Sequence, residues 1–182
     1  MTISDFVNQN IDSNHSELPF NTWTKEVGKG EVITEYGQTE EYVYFIQSGI
    51  LTVALTYQEE DRILDFYFEG SFCGAYSSLL SSSPSDIRIT AYTDARLEVL
   101  RYADIKSAYQ TSLLANQLGR VATEQLLLDR VRREKELLTM TAQERYQSLL
   151  DKKPELVQKI AIKDLSKYLG VRPESLSRIR RN

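Results

Sequence analysis

The sequence predicts an α+β chain in three parts: an antiparallel β-roll or jelly roll over residues 1–110, one long helix over 111–138, and a small all-α unit over 139–182. Three observations predict this order. Short β-branched and aromatic runs recur between Trp23 and Leu100 at a spacing of roughly eight to twelve residues, with no helical pattern between them. A narrow apolar stripe at alternating spacings of four and three then runs through the long helical segment. Residues 160–182, IAIKDLSKYLGVRPESLSRIRRN, write two short amphipathic helices separated by a tight break.

Six or more strands are expected, among them residues 31–36, 42–46, 50–57, 62–68, 87–92 and 95–100. Gly30, Gly37, Gly49 and Gly70 sit at their ends, where turns with positive φ are expected, and are assigned to folding rather than ligand contact. With 182 residues of which 41% are hydrophobic, the chain can bury one substantial core and hold a small second unit.

In the long helix, Leu114, Leu118, Val121, Gln125 and Leu128 form the stripe, and Val131 extends it. A narrow seam on a helix of this length predicts pairing with a second copy; the alternative is packing on the chain's own roll. Arg130, Arg132, Arg133 and Lys135 make its far end basic. Thr141 and Glu144 have capping-box spacing, so a new helix is expected after a short hinge around Thr139 and Met140. Tyr146, Leu149 and Leu150 supply its apolar face, and Pro154 opens another short helix.

The terminal pair has marked edges. Leu165, Tyr168 and Leu169 give the first helix one apolar face, and Gly170 is placed to close it in the left-handed conformation. Pro173 opens the second helix, Leu176 and Ile179 point inward, and Glu174, Ser175, Arg178 and Arg181 fall outside. A short polar ridge rich in Arg on the second helix of such a pair suits a DNA major groove, where Arg can bridge two acceptors on guanine.

Charge follows the same division. Residues 1–111 hold 7 Lys/Arg against 17 Asp/Glu, whereas residues 112–182 hold 15 against 9, so a chain of net charge −4 is acidic at one end and basic at the other. Contact with a polyanion is therefore expected through the C-terminal end alone. No run of eighteen apolar residues occurs and the N-terminus has no cationic segment followed by an apolar one, so a soluble, cytoplasmic protein without membrane contact is expected. The lone cysteine, Cys73, permits no internal disulfide and is read as a small buried hydrophobe. With His15 the one histidine, a clustered His/Cys metal site is excluded, and no nucleophile, base and orienting residue can be assembled, so no enzymatic activity is expected.

The stretches VGKGEVITEYGQTEEYVYFIQSGILTVAL, RILDFYFEGSFCG and ITAYTDARLEVL resemble the effector domain of the Crp/Fnr family of bacterial transcription regulators, and the terminal helix-turn-helix stands where that family has one. The resemblance implies a cyclic-nucleotide-binding type of roll, a dimerisation helix and a DNA-binding unit. Its implied partners are double-stranded DNA, a second copy of the chain, RNA polymerase and a small-molecule effector. By resemblance, Glu174, Ser175 and Arg178 meet base edges, while Arg172, Arg180, Arg181 and Lys163 meet phosphates. The effector pocket would involve Gly74, Ala75, Ser85, Asp86 and Arg88. Ala75 replaces the family's ribose-binding glutamate, and Ser85 and Asp86 stand where the family has arginine followed by Ser or Thr. An aspartate facing a phosphate repels it, so cyclic AMP is not expected in the usual mode. The Ser-rich stretch SSLLSSSPS is expected to be solvated loop; the alternative is that it lines an anion pocket. Iron-sulfur sensing needs several cysteines and is excluded. The sequence ends at Asn182, so no wing is expected after the second helix. The alternative reading is a ligand-binding or interaction protein that no longer recognises specific DNA.

Overall fold

The computed structural model describes residues 1–11 and 17–181, so His15 lies outside the described residues. Contacts divide the chain into two compact units, Met1–Glu124 and Gln125–Asn182.

The first unit is built on two four-stranded antiparallel sheets. One has the order β1 (Thr22–Val27), β8 (Ala95–Arg101), β3 (Tyr42–Ser48), β6 (Phe72–Cys73); the other runs β2 (Val32–Thr34), β7 (Arg88–Ala91), β4 (Leu51–Tyr57), β5 (Glu60–Tyr67). Alternation along the strands sends Tyr44, Ile46, Leu97 and Val99 from one sheet, and Leu51, Val53, Ile89 and Ala91 from the other, into one shared core. Cys73 is fully buried there, as a small hydrophobe would be. The glycines expected at turns, Gly30, Gly37, Gly49 and Gly70, all have positive φ. At Gly49 a second constraint acts, since an added Cβ would lie 2.5 Å from the Asp94 carbonyl oxygen.

The outer face of β3 and β8 is covered by helices. Val43, Phe45 and Leu100 pack against Ile3, Phe6, Val7 and Ile11, and against Ile105, Leu114 and Leu118. Helix α1 (Ile3–Asn10) starts at a capping box between Thr2 and Asp5 and inserts Phe6 edge-on against Phe45 and Phe72, with centroids 5.9 and 5.2 Å away. The Glu98 carboxylate, 8% exposed, accepts hydrogen bonds from the Ile3 N–H (3.0 Å), the Thr22 hydroxyl (3.0 Å) and the Gln47 amide (3.1 Å). A charge taken out of water is tolerated when its lone pairs are filled in this way, and here the three donors join α1, β1 and β3.

Several segments differ from the sequence expectations, among them α1, β1 and β6, for which no element was expected. The first part of the Ser-rich stretch is not solvated loop: residues 77–81 belong to α2 (Tyr76–Ser81), with Ser78 and Leu79 buried, while Ser82, Ser83 and Pro84 after it are exposed. Residues after β8 form a further helix, α3 (Tyr102–Thr111), before α4 (Leu113–Thr139) begins. The Asn116 amide donates to the carbonyls of Tyr109 and Ser112, and Gly119 leaves room for the Tyr109 side chain, whose hydroxyl an added Cβ would strike.

The second unit holds the distal turns of α4, then α5 (Ala142–Lys152), α6 (Pro154–Lys159), α7 (Ile162–Leu169) and α8 (Pro173–Ile179). Thr141 and Glu144 form the capping box that starts α5, and Pro154 stands in the first turn of α6. Tyr146, Leu149, Leu156, Val157, Leu165, Leu169 and Leu176 make its buried apolar centre.

Candidate nucleic-acid interface

The helix-turn-helix is set by two local devices. Gly170 takes φ 68° and ends α7 in a Schellman arrangement: its N–H donates to the Lys167 carbonyl (3.3 Å) and the Val171 N–H to the Ser166 carbonyl (3.0 Å). Pro173 opens α8 directly after the extended Arg172, so three residues separate the two helices. Leu165, Tyr168 and Leu169 on α7 and Leu176 on α8 are buried together in this unit, which fixes which side of α8 faces outward.

Glu174, Ser175, Arg178 and Arg181 line a single open depression on that outward side. Arg178, Arg172, Arg180 and Lys163 are exposed, and Ser175 is half-buried. Arg181 donates from Nε to the Ser177 carbonyl (3.3 Å), which holds its guanidinium along the helix rather than across it. The depression therefore combines one carboxylate, one hydroxyl and two guanidinium groups. Arg172, Arg180 and Lys163 lie outside its lining.

The basic end of α4 is not the free cationic patch its composition promised. Arg132 pairs with Asp129 (3.0 Å), and the Arg133 guanidinium lies 3.8 Å above the Tyr168 ring and donates to the Tyr168 carbonyl. Arg145 donates from Nη1 to the Met140 carbonyl (2.6 Å) and from Nη2 to the Leu169 carbonyl (3.0 Å). Glu136 accepts from Lys152 (2.8 Å) and Ser148 (3.1 Å). Partial burial pushes its carboxyl up, but Lys152, Ser148 and Arg133 outweigh that and hold it below the ordinary carboxylate range. The expected hinge around Thr139 and Met140 is thus a bridged joint. Sequence spacing had no access to the Arg133–Tyr168 and Arg145–Leu169 pairings, because the partners lie 35 and 24 residues apart.

The candidate dimer stripe divides. Leu114 and Leu118 are buried in the first unit's own core, and Val121 packs half-buried beside them, because this part of α4 faces the helices on the roll. That corrects their assignment to a seam between copies. Gln125 and Leu128 are exposed, and Leu127, Leu128, Val131 and Leu138 leave an apolar strip at 60, 63, 38 and 78% exposure.

The five effector-pocket candidates are all engaged within the chain. Arg88 binds Glu35 (2.7 Å) and Asp61 (3.8 Å) and lies 4.6 Å above the Tyr36 ring. The Arg88 guanidinium holds the Glu35 carboxyl below its ordinary range, helped by the Tyr36 N–H. Asp86 accepts from the Ser77 hydroxyl (3.2 Å), and buried Ser85 donates to the Ile87 carbonyl (2.8 Å). Ala75 is fully buried, and Gly74 would place an added Cβ 3.3 Å from Leu79. A feature absent from the sequence reading lies beneath α2. The buried Glu40 carboxylate accepts from the hydroxyls of Thr34 and Tyr44 and from the N–H groups of Glu41 and Tyr42, while the Glu40 N–H donates to Ser78 (2.9 Å). Burial, and next the Glu40 charge, push the Tyr44 hydroxyl well up. The Arg88 guanidinium is thus shared between two carboxylates, those of Glu35 and Asp61.

Residues 24–112 match the cyclic nucleotide-binding domain family. No curated relative matches the sequence. Among solved structures, FixK2 of Bradyrhizobium japonicum is 21% identical, with TM-score 0.73, over 89% of this chain and 84% of that one. CLP of Xanthomonas campestris, a c-di-GMP-responsive global regulator that links cell-cell signalling to virulence gene expression, is 19% identical, with TM-score 0.68, over 88% and 85%. A CRP/FNR-family transcriptional regulator of Thermus thermophilus, TTHA1359, is 21% identical, with TM-score 0.68, over 86% and 83%. The chain has the fold of solved Crp/Fnr-family regulators. Among the described residues no helix is long and apolar enough to cross a membrane, and no cluster of His, Cys, Asp and Glu is arranged to hold a metal ion.

Proposed function

We propose that this chain is a sequence-specific DNA-binding transcription regulator of the Crp/Fnr type, acting as a homodimer whose sensor domain does not take cyclic AMP in the usual mode. The observation that carries the reading is the face of α8. Glu174, Ser175, Arg178 and Arg181 surround one open depression on the side opposite buried Leu176. An acceptor, a hydroxyl and two forked donors on one short ridge are the groups that read base edges in a major groove. Arg172, Arg180 and Lys163 are exposed for phosphates around it. The second copy is assigned to the apolar strip of Leu127, Leu128, Val131 and Leu138, which one chain leaves in water. RNA polymerase and a small-molecule effector remain the partners such a regulator would use.

Salt-dependent fluorescence anisotropy tests the proposal. Binding that neutralises several phosphates weakens linearly in a log–log plot against salt, with a slope near −0.9 per phosphate, about −5 or steeper for two subunits. A flat dependence, or no binding at low salt, would leave the roll as the functional part and remove the DNA reading.

A further inference from the structure

We infer that Arg133 and Arg145 are positioning residues that clamp the helix-turn-helix to the distal turns of α4 and so fix the direction in which α8 is presented. The inference rests on the DNA-binding reading for its purpose and on geometry for its substance. A single guanidinium, that of Arg145, reaches the carbonyl of Met140 just past α4 and the carbonyl of Leu169 at the end of α7. Carbonyls at helix ends lack intrahelical partners and carry partial negative charge, so a cation shared between two such ends ties one helix to the other. Arg133 supplies a second tie from α4 itself, stacking on Tyr168 and donating to that residue's carbonyl. Glu136 adds a third through Ser148 and Lys152 of α5.

Apolar burial on these turns of α4 is incomplete: Val131, Leu137 and Leu138 stay 38, 46 and 78% exposed. The Arg145 Nε–H is buried without a hydrogen-bond partner among the described residues, a cost that is retained while the other two nitrogens hold the two helix ends. Only Gly170, Val171 and Arg172 separate α7 from α8, so whatever orients the end of α7 orients the recognition ridge. In a dimer, the angle at this joint sets the distance between the two ridges, and therefore the half-site spacing that is tolerated.

The test uses the full chain carrying spin labels at Lys135→Cys and Lys163→Cys. Both positions are exposed, and buried Cys73 is left in place. Labelled protein is diluted into excess unlabelled protein, and the distance distribution is measured by pulsed electron resonance with Arg133 and Arg145 intact, then in Arg145→Lys, Arg145→Ala and Arg133→Ala/Arg145→Ala. One narrow distribution is expected with both arginines and a progressive broadening through the series, with helical circular dichroism unchanged. A narrow distribution in the double variant overturns the clamp. Should the double variant lose helix, Arg145→Lys decides, since lysine keeps the charge but cannot span two carbonyls. The second readout is binding to duplexes with two half-sites at different spacings. The preference of the parent protein for one spacing, expected at about tenfold, should fall to about twofold in Arg145→Ala, while affinity for a single half-site is kept. An unchanged spacing preference also overturns the clamp. Absence of any preferred duplex for the parent removes the DNA reading, and the distance measurement still decides the clamp.

Discussion

Replacing Arg178 by alanine separates recognition from folding. The Arg178 side chain is exposed beside the depression it shares with Glu174, Ser175 and Arg181, and no side-chain hydrogen bond or ion pair holds it among the described residues. Surface substitutions of this kind change folding stability by about 0.5 kcal/mol or less. If the guanidinium reads a guanine, its loss should cost about 1–3 kcal/mol of specific binding, or roughly 5- to 150-fold in Kd. The assay is anisotropy titration of a preferred duplex and of random duplex at one salt concentration, with thermal unfolding in parallel. Arg178→Ala should lose affinity for the preferred duplex alone and relax selectivity at one base pair. Lys163→Ala, as a phosphate contact, should weaken both duplexes alike. Equal losses for the arginine variant on both duplexes, or a Tm lowered by several degrees, would refute the assignment.

Calorimetric titration with cyclic AMP should give no micromolar binding, because Arg88 is held by Glu35 and Asp61; micromolar affinity would overturn this. Phe6→Ala should cost about 3–5 kcal/mol in urea unfolding of the roll, since Phe6 is 3% exposed and packs on Phe45 and Phe72; a loss under about 1 kcal/mol would show that α1 is not part of the core. Leu128→Glu puts a charge on a side chain 63% exposed in one chain, so it should leave the monomer fold intact and shift sedimentation toward monomer; an unchanged dimer would move the interface elsewhere. Glu136 has a folded pKa below its ordinary value of 4.5, so its contribution is complete above that value and disappears as pH falls through the lower folded one. Acid unfolding of the second unit should therefore shift to higher pH in Arg133→Ala and Lys152→Ala, and an unchanged midpoint would count against the joint.

The parts of the fold that were legible in the sequence are those with local periodicity or a single decisive residue. Alternation placed the long strands, Gly170 and Pro173 bounded the terminal helices, and Thr141 with Glu144 marked the start of α5. Helix α1 carried a comparable signal, Thr2 and Asp5 ahead of Ile3, Phe6 and Val7, which the strand pattern beyond it obscured. Helix α2 was hidden because serines favour caps and turns, and it is held by distant contacts: Ser78 to Glu40, and Leu79 in the core. The stripe on α4 was read as one seam, although its two halves face different surroundings. Periodicity reports that a face is apolar and not what covers it. The exposed ridge of α8 followed from spacing alone, whereas the carbonyls of Tyr168 and Leu169 that capture Arg133 and Arg145 lie 35 and 24 residues along the chain, and no local pattern announces them.

Whether two copies read DNA through α8 is decided by selecting bound duplexes from random DNA with the purified full chain. Two-fold-related half-sites should be enriched, with centres about one helical turn, 10–10.5 base pairs, or a whole multiple of it apart. Recovery of duplexes with no shared sequence, or of single half-sites without a symmetric mate, would be incompatible with paired reading by α8.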